Sequence, residues 1–451
     1  MESVRGSYHF IGIGGDGMSA LARVLHEQGH PVSGSDLRET ARTEQLRAAG
    51  IPVHQGHHRL HLRSPEAVVY SSAIQPSNVE LQVAQSSGCK ILHRQELLAQ
   101  LFNAHQSIGI AGTHGKTTTS AMIASLLLES RRDPTFLVGA SSPTLGHHAR
   151  WGRGQWLVAE VDESDGYFTQ LHPDTAVVTN VACDHLNHYG SQQALLAGFA
   201  RFVSQSRKAV LNADDPPAAT LRSYAREALT FGIEQPADLV ASSIEQHRMS
   251  TRADLIFRGD RVGELELAAA PGRHNVANAL AALLAGHLLE LEFKEMLRIV
   301  KEFRLPERRF QILEENGVVV VDDYAHLPEQ IEVNLAAVRA GWKPKRVIAL
   351  FQPHRYSRLR YMNERFARAL ELADLVVVTD IYPAFEAPIP GVDARSVVEA
   401  MSKDRERVHY LSHPKEIHSF LNEQTVPGDF IIGFGAGDIW QILHRWVEKG
   451  S

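Results

Sequence analysis

Apolar residues along this chain fall into short runs that alternate with longer amphipathic stretches. YHFIGIGG, AVVYSSAI, SIGIAGTHGKT, WLVAEVDESD, TAVVTNVACDH and KAVLNADD are strand-like, and most end in Gly, Ser, Asp or Asn. GVVVVDDYAH, RVIALFQPHR, LVVVTDIY and FIIGFGAGD continue the pattern towards the C-terminus. Unbroken Val, Ile and Leu without period-two alternation suits parallel strands covered on both faces. Between these runs, apolar spacing predicts helices over Ser19–Gln28, Thr118–Glu129, Asn275–Leu291, Glu329–Ala340 and Tyr361–Ala373. The alternation predicts an α/β protein with ligand sites at the carboxyl ends of strands. Asp238–Leu267 reads differently, as short alternating strands with turns, an antiparallel accessory piece.

Three strand–glycine turn–helix starts, near residues 10, 110 and 433, predict several nucleotide-type modules rather than one large sheet. At roughly 150 residues per domain, a chain of 451 residues suits three domains. A polar break at Phe102–Ser107 and the charged stretch Leu305–Arg309 around Pro306 place them at 1–106, 107–309 and 310–451.

Composition narrows the class. Apolar residues at 44% and charged residues at 22% describe an ordinary globular protein and exclude disorder, collagen and coiled coil. Lys and Arg number 46 against 52 Asp and Glu, a net charge of −6, which argues against a nucleic acid as main partner. Cys89 and Cys183 make no disulfide framework and suit a reducing compartment. Neither a signal peptide nor a membrane span is expected, and the chain reads as cytoplasmic.

The chemistry sits at the strand ends. Gly12-Ile13-Gly14-Gly15-Asp16-Gly17 has the G-x-G-x-x-G form, with Asp36 closing the next strand-like run. Such a turn lets a diphosphate approach the free N–H groups of a helix start, and by itself it leaves NAD open. Ala111–Thr119, AGTHGKTTT, is a phosphate loop shorter than G-x-x-x-x-G-K-[ST]. Backbone N–H groups around Gly112, Thr113, His114 and Gly115 would cradle phosphates, Lys116 would reach the β and γ oxygens, and Thr117 could ligate Mg²⁺. Glu160, Asp162, Glu163 and Asp165 crowd four carboxylates after the apolar WLVA, which needs a cation such as Mg²⁺ or Arg partners. Asp184-His185 ends another strand-like run and could place His185 at the same metal. Asn275 and Asn278 share one face of a helix start and could bond a base or phosphate, or simply cap the helix. Arg308-Arg309, Asp322-Asp323-Tyr324-Ala325-His326 and Gln352–Arg358 put His and Arg beyond strands, suited to a carboxylate or phosphate. His54, His57, His58 and His61 look metal-like, but nothing nearby completes a ligand set, so a hydrated turn is expected.

In sequence order, HFIGIGGDGMS, GSDL, SSAI, AGTHGKTTT, DPTFLVGA, EVDESDGYF, TNVACDHL, PGRHNVANALAA, RRF, DDYAH, FQPHRYSR and TDIYPAFEAPIPG resemble the Mur ligase family of ATP-dependent amino-acid ligases. The resemblance implies a Rossmann-like N-terminal domain, a P-loop ATPase-like central domain and a Rossmann-like C-terminal domain. Its substrates would be UDP-N-acetylmuramate, ATP and L-alanine, with Mg²⁺; a member that adds a murein tripeptide is the alternative. By motif, Gly14, Gly15, Asp16, Gly17, Met18, Ser35, Asp36, Ser71 and Ser72 would hold the UDP-sugar, so the glycine turn need not mean NAD. Gly112, Thr113, His114, Gly115, Lys116, Thr117, Thr118, Asn275, Asn278, Arg309 and Asp323 would hold ATP, and Thr117, Glu160 and His185 the metal. His326, Arg355 and Arg358 would place the amino acid, and Lys116, Glu160, His185, Asp323 and His326 would serve catalysis. Leu327 stands where the family usually carries a second histidine after DDYAH.

Overall fold

The computed structural model describes residues 6–182, 184, 186–384, 386–401 and 405–450. Its contacts divide the chain into two compact units. One comprises Met1–Ser242, Asp254–Gly263 and Ala277–Val300; the other comprises Ser243–Ala253, Glu264–Val276 and Lys301–Ser451.

The first unit carries two sheets. In the N-terminal sheet the order across is Val53–Gln55, Val32–Asp36, Tyr8–Ile11, Ala67–Tyr70 and Lys90–His93, all parallel. The chain leaves the first strand in one direction and resumes on its other side with Ala67–Tyr70. A crevice therefore opens where those two strands end. Gly12–Gly17 and Ser71-Ser72 both fall there. In the next sheet, Gln106–Ala111 lies between Thr175–Val178 and Trp156–Glu160, with parallel pairing on both sides. Ile108, Ile110, Val158, Val177 and their neighbours are fully buried, as unbroken apolar runs require. Lys208–Asn212 and Ala228–Gly232 extend one side in parallel, and Thr135–Leu137 the other. The accessory segment forms three strands, Leu239–His247, Ser250–Phe257 and Asp260–Leu267.

The second unit holds a six-stranded sheet. Gln311–Glu314 is antiparallel to Val319–Asp323; then Asp429–Phe434, Arg346–Phe351, Leu375–Val378 and Val408–Tyr410 follow in parallel. Asp323, Phe351 and Phe434 end adjacent strands, so their loops share one edge.

The helices match the expected places but begin earlier. They run over Asp16–Glu27, Lys116–Glu129, Arg273–Leu288, Pro328–Trp342 and Tyr356–Leu370. Their first turns are polar and carry no apolar stripe, so periodicity alone starts them late. Among the described residues no helix is long and apolar enough to cross a membrane.

The two sheets of the first unit are tied through the helix Asp16–Glu27. Ser19 Oγ lies 3.1 Å from His148 Nε2, and Trp151 N donates to Glu27 Oε2 at 2.8 Å. Burial, with Arg42 and Arg23 nearby, pushes the His148 imidazole down to about 3. The folded chain thus keeps His148 neutral where the unfolded chain protonates it near its ordinary 6.5. This contribution is present above pH 6.5 and lost as pH falls towards 3, with a slope approaching ~1.4 kcal/mol per pH unit. His148→Gln should flatten the acid limb by about that slope. Urea unfolding at pH 7, 6 and 5 checks it, and parallel slopes in both proteins would contradict it.

Candidate active site

The strand Gln106–Ala111 passes through Gly112–Gly115 into the helix Lys116–Glu129. The segment beyond Thr175–Val178 pins this loop. Thr113 N donates to Asn180 O (3.2 Å) and His114 N to Asn180 Oδ1 (2.9 Å). Thr179 Oγ1 and Asn180 Nδ2 donate back to His114 O. Gly115 has a φ of 81°, and a Cβ there would lie 2.3 Å from Asn278 Oδ1. Only glycine fits that turn. Asn278 Oδ1 also accepts from Thr119 Oγ1, so Asn278 packs on the phosphate loop. Asn275 turns back instead and donates to Pro271 O at 2.7 Å. Thr118 is buried at the helix start.

The acidic run at the end of Trp156–Glu160 is compensated by protein groups. Lys116 Nζ lies 3.0 and 2.9 Å from the two Glu163 oxygens. Arg94 Nη2 donates to Asp162 Oδ2 (3.0 Å), and Gln95 Nε2 to Asp165 Oδ2 (3.4 Å). Glu160 Oε2 accepts from Thr117 Oγ1 (2.8 Å) and Gly139 N (2.9 Å). Tyr189 donates its hydroxyl proton to Glu163 O. Burial pushes the Glu163 carboxyl up to about 7 against the pull of Lys116. Burial opposes the Lys116 ammonium, but Glu163, Glu160 and Asp162 outweigh it and raise its pKa. The Thr117 hydroxyl and Glu160 carboxylate meet as hard oxygen donors, the set that suits Mg²⁺. His185 lies outside the described residues. Among the described residues no three His, Cys, Asp or Glu side chains are arranged to hold a metal.

At the crevice of the N-terminal sheet, Gly14 N donates to Asp36 Oδ2 at 2.9 Å. The Met18 side chain is buried in the core, leaving its backbone to face the turn. Ser72 Oγ lies 3.1 Å from His93 Nε2, and Ser71 O accepts from Ile74 N. Ser35 is fully buried and donates to Glu80 Oε2 at 2.6 Å. The histidine run forms a partly exposed turn that is organised by a buried carboxylate. Glu80, also fully buried, accepts from His58 N (3.0 Å), and its carboxylate oxygens lie 2.8 Å from His61 Nδ1 and 3.2 Å from His9 Nε2. His57 Nδ1 bonds Ser35 Oγ at 2.9 Å, and the His54 and His61 rings stack at 4.2 Å. Burial would raise the Glu80 carboxyl, yet these bonds bring it down to about 2.

In the second unit, Asp323 Oδ2 accepts from Phe310 N (2.6 Å) and Oδ1 from Ala325 N (2.7 Å). Burial pushes its carboxyl up to about 6, against Arg309 and those two N–H groups. Arg309 lies over the Tyr324 ring at 4.7 Å, while Arg308 pairs with Asp322 and donates to Gly435 O and Gly437 O. His326 Nδ1 lies 3.0 Å from Tyr324 O, and the His326 and His354 rings approach to 5.6 Å. Burial first, then Arg358, drives the His326 imidazole well below its usual value. Arg358 Nη1 lies 3.0 Å from His354 Nδ1. Arg355 has a φ of 74°, donates its N–H to Tyr382 O and heads the helix Tyr356–Leu370. Leu327 is buried in the core of this unit.

Three family models match successive segments: "Mur ligase family, catalytic domain" over residues 7–106, "Mur ligase middle domain" over 110–286 and "Mur ligase, glutamate ligase domain" over 308–437. The chain belongs to the Mur ligase family. This Mur ligase is 44% identical to a UDP-N-acetylmuramate–L-alanine ligase of Pelotomaculum thermopropionicum, over 98% of the chain and 97% of the relative. It is 42% identical to the protein of that name in Gloeobacter violaceus, over 98% and 96%. Among solved structures, a UDP-N-acetylmuramate–alanine ligase of Thermotoga maritima superposes with a TM-score of 0.85 at 30% identity, over 98% and 99% of the two chains. A murein peptide ligase of Psychrobacter arcticus reaches 0.72 at 22% identity, over 98% of each chain, and shares the fold.

Sequence reasoning about this Mur ligase passed over Arg94 and Glu80, and gave no role to Gly139 inside DPTFLVGA or to Thr179 and Asn180 inside TNVACDHL. Arg94 and Glu80 reach their sites across a long stretch of chain, and no local pattern marks them. His354 and Arg308 were visible inside FQPHRYSR and RRF beside the residues singled out there. Glu80→Ala should destabilise the N-terminal sheet by about 3–5 kcal/mol, since it strands buried His9 and Ser35. Chemical denaturation measures this, and a cost below about 1 kcal/mol would show that the carboxylate organises nothing.

Proposed function

We infer that this chain is an ATP-dependent ligase that joins L-alanine to the lactyl carboxylate of UDP-N-acetylmuramate, a step of peptidoglycan precursor synthesis in the cytoplasm. One observation carries the reading: 44% identity, spanning 98% of the chain, to a relative named for that reaction. The phosphate loop and its carboxylates support the chemistry. The turn at Gly14, Gly15, Asp16 and Gly17, with Asp36 behind it, takes the UDP diphosphate. Gly112–Thr118 take the ATP phosphates, with Asn275, Asn278, Arg309 and Asp323 as further nucleotide residues.

A carboxylate is a poor acyl donor, so ATP activates it. An oxygen of the lactyl carboxylate attacks the γ-phosphorus, the bond to the β-phosphate oxygen breaks, and ADP leaves an acyl phosphate. Arriving phosphates replace Glu163 as the partner of Lys116, which then stabilises charge on the transferring group. Thr117 and Glu160, with His185, would hold Mg²⁺, which supplies further charge neutralisation when bound. The amine of L-alanine attacks the carbonyl carbon; the tetrahedral intermediate collapses and expels phosphate. Arg355 and Arg358 hold the amino-acid carboxylate. His326 takes the ammonium proton, because Nδ1–H is committed to the Tyr324 carbonyl and Nε2 keeps its lone pair.

Phosphate release with MgATP, UDP-N-acetylmuramate and L-alanine tests the reading. Release should need both the sugar nucleotide and L-alanine, and mass spectrometry should show the amide. Release only with a murein tripeptide would replace the acceptor in this reading. Lys116→Ala should lower kcat by about 100- to 1,000-fold, the scale of a lost transition-state contact of ~3–4 kcal/mol. Wild-type turnover in that variant would remove Lys116 from the chemistry.

A further inference from the structure

The glycine turn of the first unit faces a cation that none of the motifs contains. Arg94 opens the helix Arg94–Asn103, whose start is fixed by His93 in a capping box with Glu96. Its Nη2 is held by Asp162 at 3.0 Å. Its Nη1 lies 2.6 Å from where a Cβ on Gly17 would stand, so the guanidinium rests directly against the turn. Among the described residues the remaining nitrogens of Arg94 find no hydrogen-bond acceptor.

The turn offers the matching half of an anion site. The helix Asp16–Glu27 is longer than two turns, and Gly15 caps it without a side-chain bond. Among the described residues the N–H groups of Asp16, Gly17 and Met18 have no partner; the first helical bond comes from Ser19 N. Asp16 would repel an anion, but its carboxylate is paired with Arg42 Nη2 at 2.9 Å. Arg42 Nη2 is held by Asp16, and the uncommitted edge of Arg94 brings a positive charge beside those N–H groups. A guanidinium with one edge held by a carboxylate and the other open is oriented for bidentate contact with phosphate oxygens.

We propose that Arg94 binds the diphosphate of the sugar nucleotide at the Gly14–Gly17 turn, and that Asp162 is its positioning residue. The assignment rests on the reading of that turn as the UDP-sugar site. It also places a carboxylate from the acidic loop beside Lys116 one ion pair away from the sugar-nucleotide turn. Occupation of the turn therefore reaches the strand end that carries Glu160 and Glu163. Lysine at 94 keeps the charge but loses the fork, so it should restore only part of the contact.

Calorimetric titration of the full chain with uridine, UDP and UDP-N-acetylmuramate, without ATP, tests this. Arg94→Ala should weaken UDP and the sugar nucleotide about tenfold or more, the scale of one lost charge-assisted bond. Uridine, which has no phosphate, should bind within twofold of wild type. Arg94→Lys should recover part of the UDP affinity. Asp162→Asn should weaken UDP about threefold and add nothing to Arg94→Ala, because it acts through the guanidinium. A general loss of fold would weaken uridine as much as UDP, and that result overturns the assignment. So does wild-type UDP affinity in Arg94→Ala, or additive losses in the double variant. Wild-type protein that binds uridine but gains nothing from the diphosphate would overturn the reading of the turn itself, and the assignment with it.

Discussion

Four carboxylates at the end of one buried strand are the constraint on which the first unit depends. Trp156–Glu160 is apolar until its last residue and then delivers Glu160, Asp162, Glu163 and Asp165 within one loop. Like charges so close in a partly buried setting must be paired or lose their charge. The chain pairs them from two directions. Lys116 comes from the helix after the phosphate loop, and Arg94 from a helix that follows the last strand of the N-terminal sheet. Glu160 is held differently, by hydrogen bonds from a hydroxyl and a backbone N–H, with Lys116 acting on it through its charge. One electrostatic requirement thus fixes the lysine and orients the arginine.

The stacking of His93 on Tyr167 at 4.8 Å strengthens the same junction, since Tyr167 follows the acidic loop. Ser72 meets the other side of that imidazole. The N-terminal sheet and the phosphate-loop sheet are consequently joined by side-chain contacts at this junction.

Much of this was legible along the chain, and what was not has a common cause. The glycine turn and the phosphate loop are contiguous, so their chemistry is spelled out in local order. The alternating runs identify parallel sheets because burial on both faces imposes a composition that nothing else needs. Helix starts such as Asp16 and Tyr356 were placed late, because first turns that bear polar or functional residues have no reason to be amphipathic. The histidine run shows the limit most plainly. His54, His57, His58 and His61 are visible as a cluster, yet the group that organises them is Glu80, 19 residues beyond His61. Arg94 and Asp162 are separated by 68 positions, and only the fold brings them together.

The proposed proton step turns on how two buried groups in the second unit divide the work. Asp323 has both oxygens committed to backbone N–H groups of Phe310 and Ala325, so it shapes the loop and has little capacity left for a substrate proton. His326 keeps a free lone pair, but burial and the neighbouring Arg358 make it a weak base. The substrate itself can remove part of that handicap. On the proposed reading, a substrate carboxylate paired with Arg358 would offset part of the positive field that, after burial, holds the His326 imidazole down. In that reading, recognition of the carboxylate and acceptance of the ammonium proton would be coupled through Arg358.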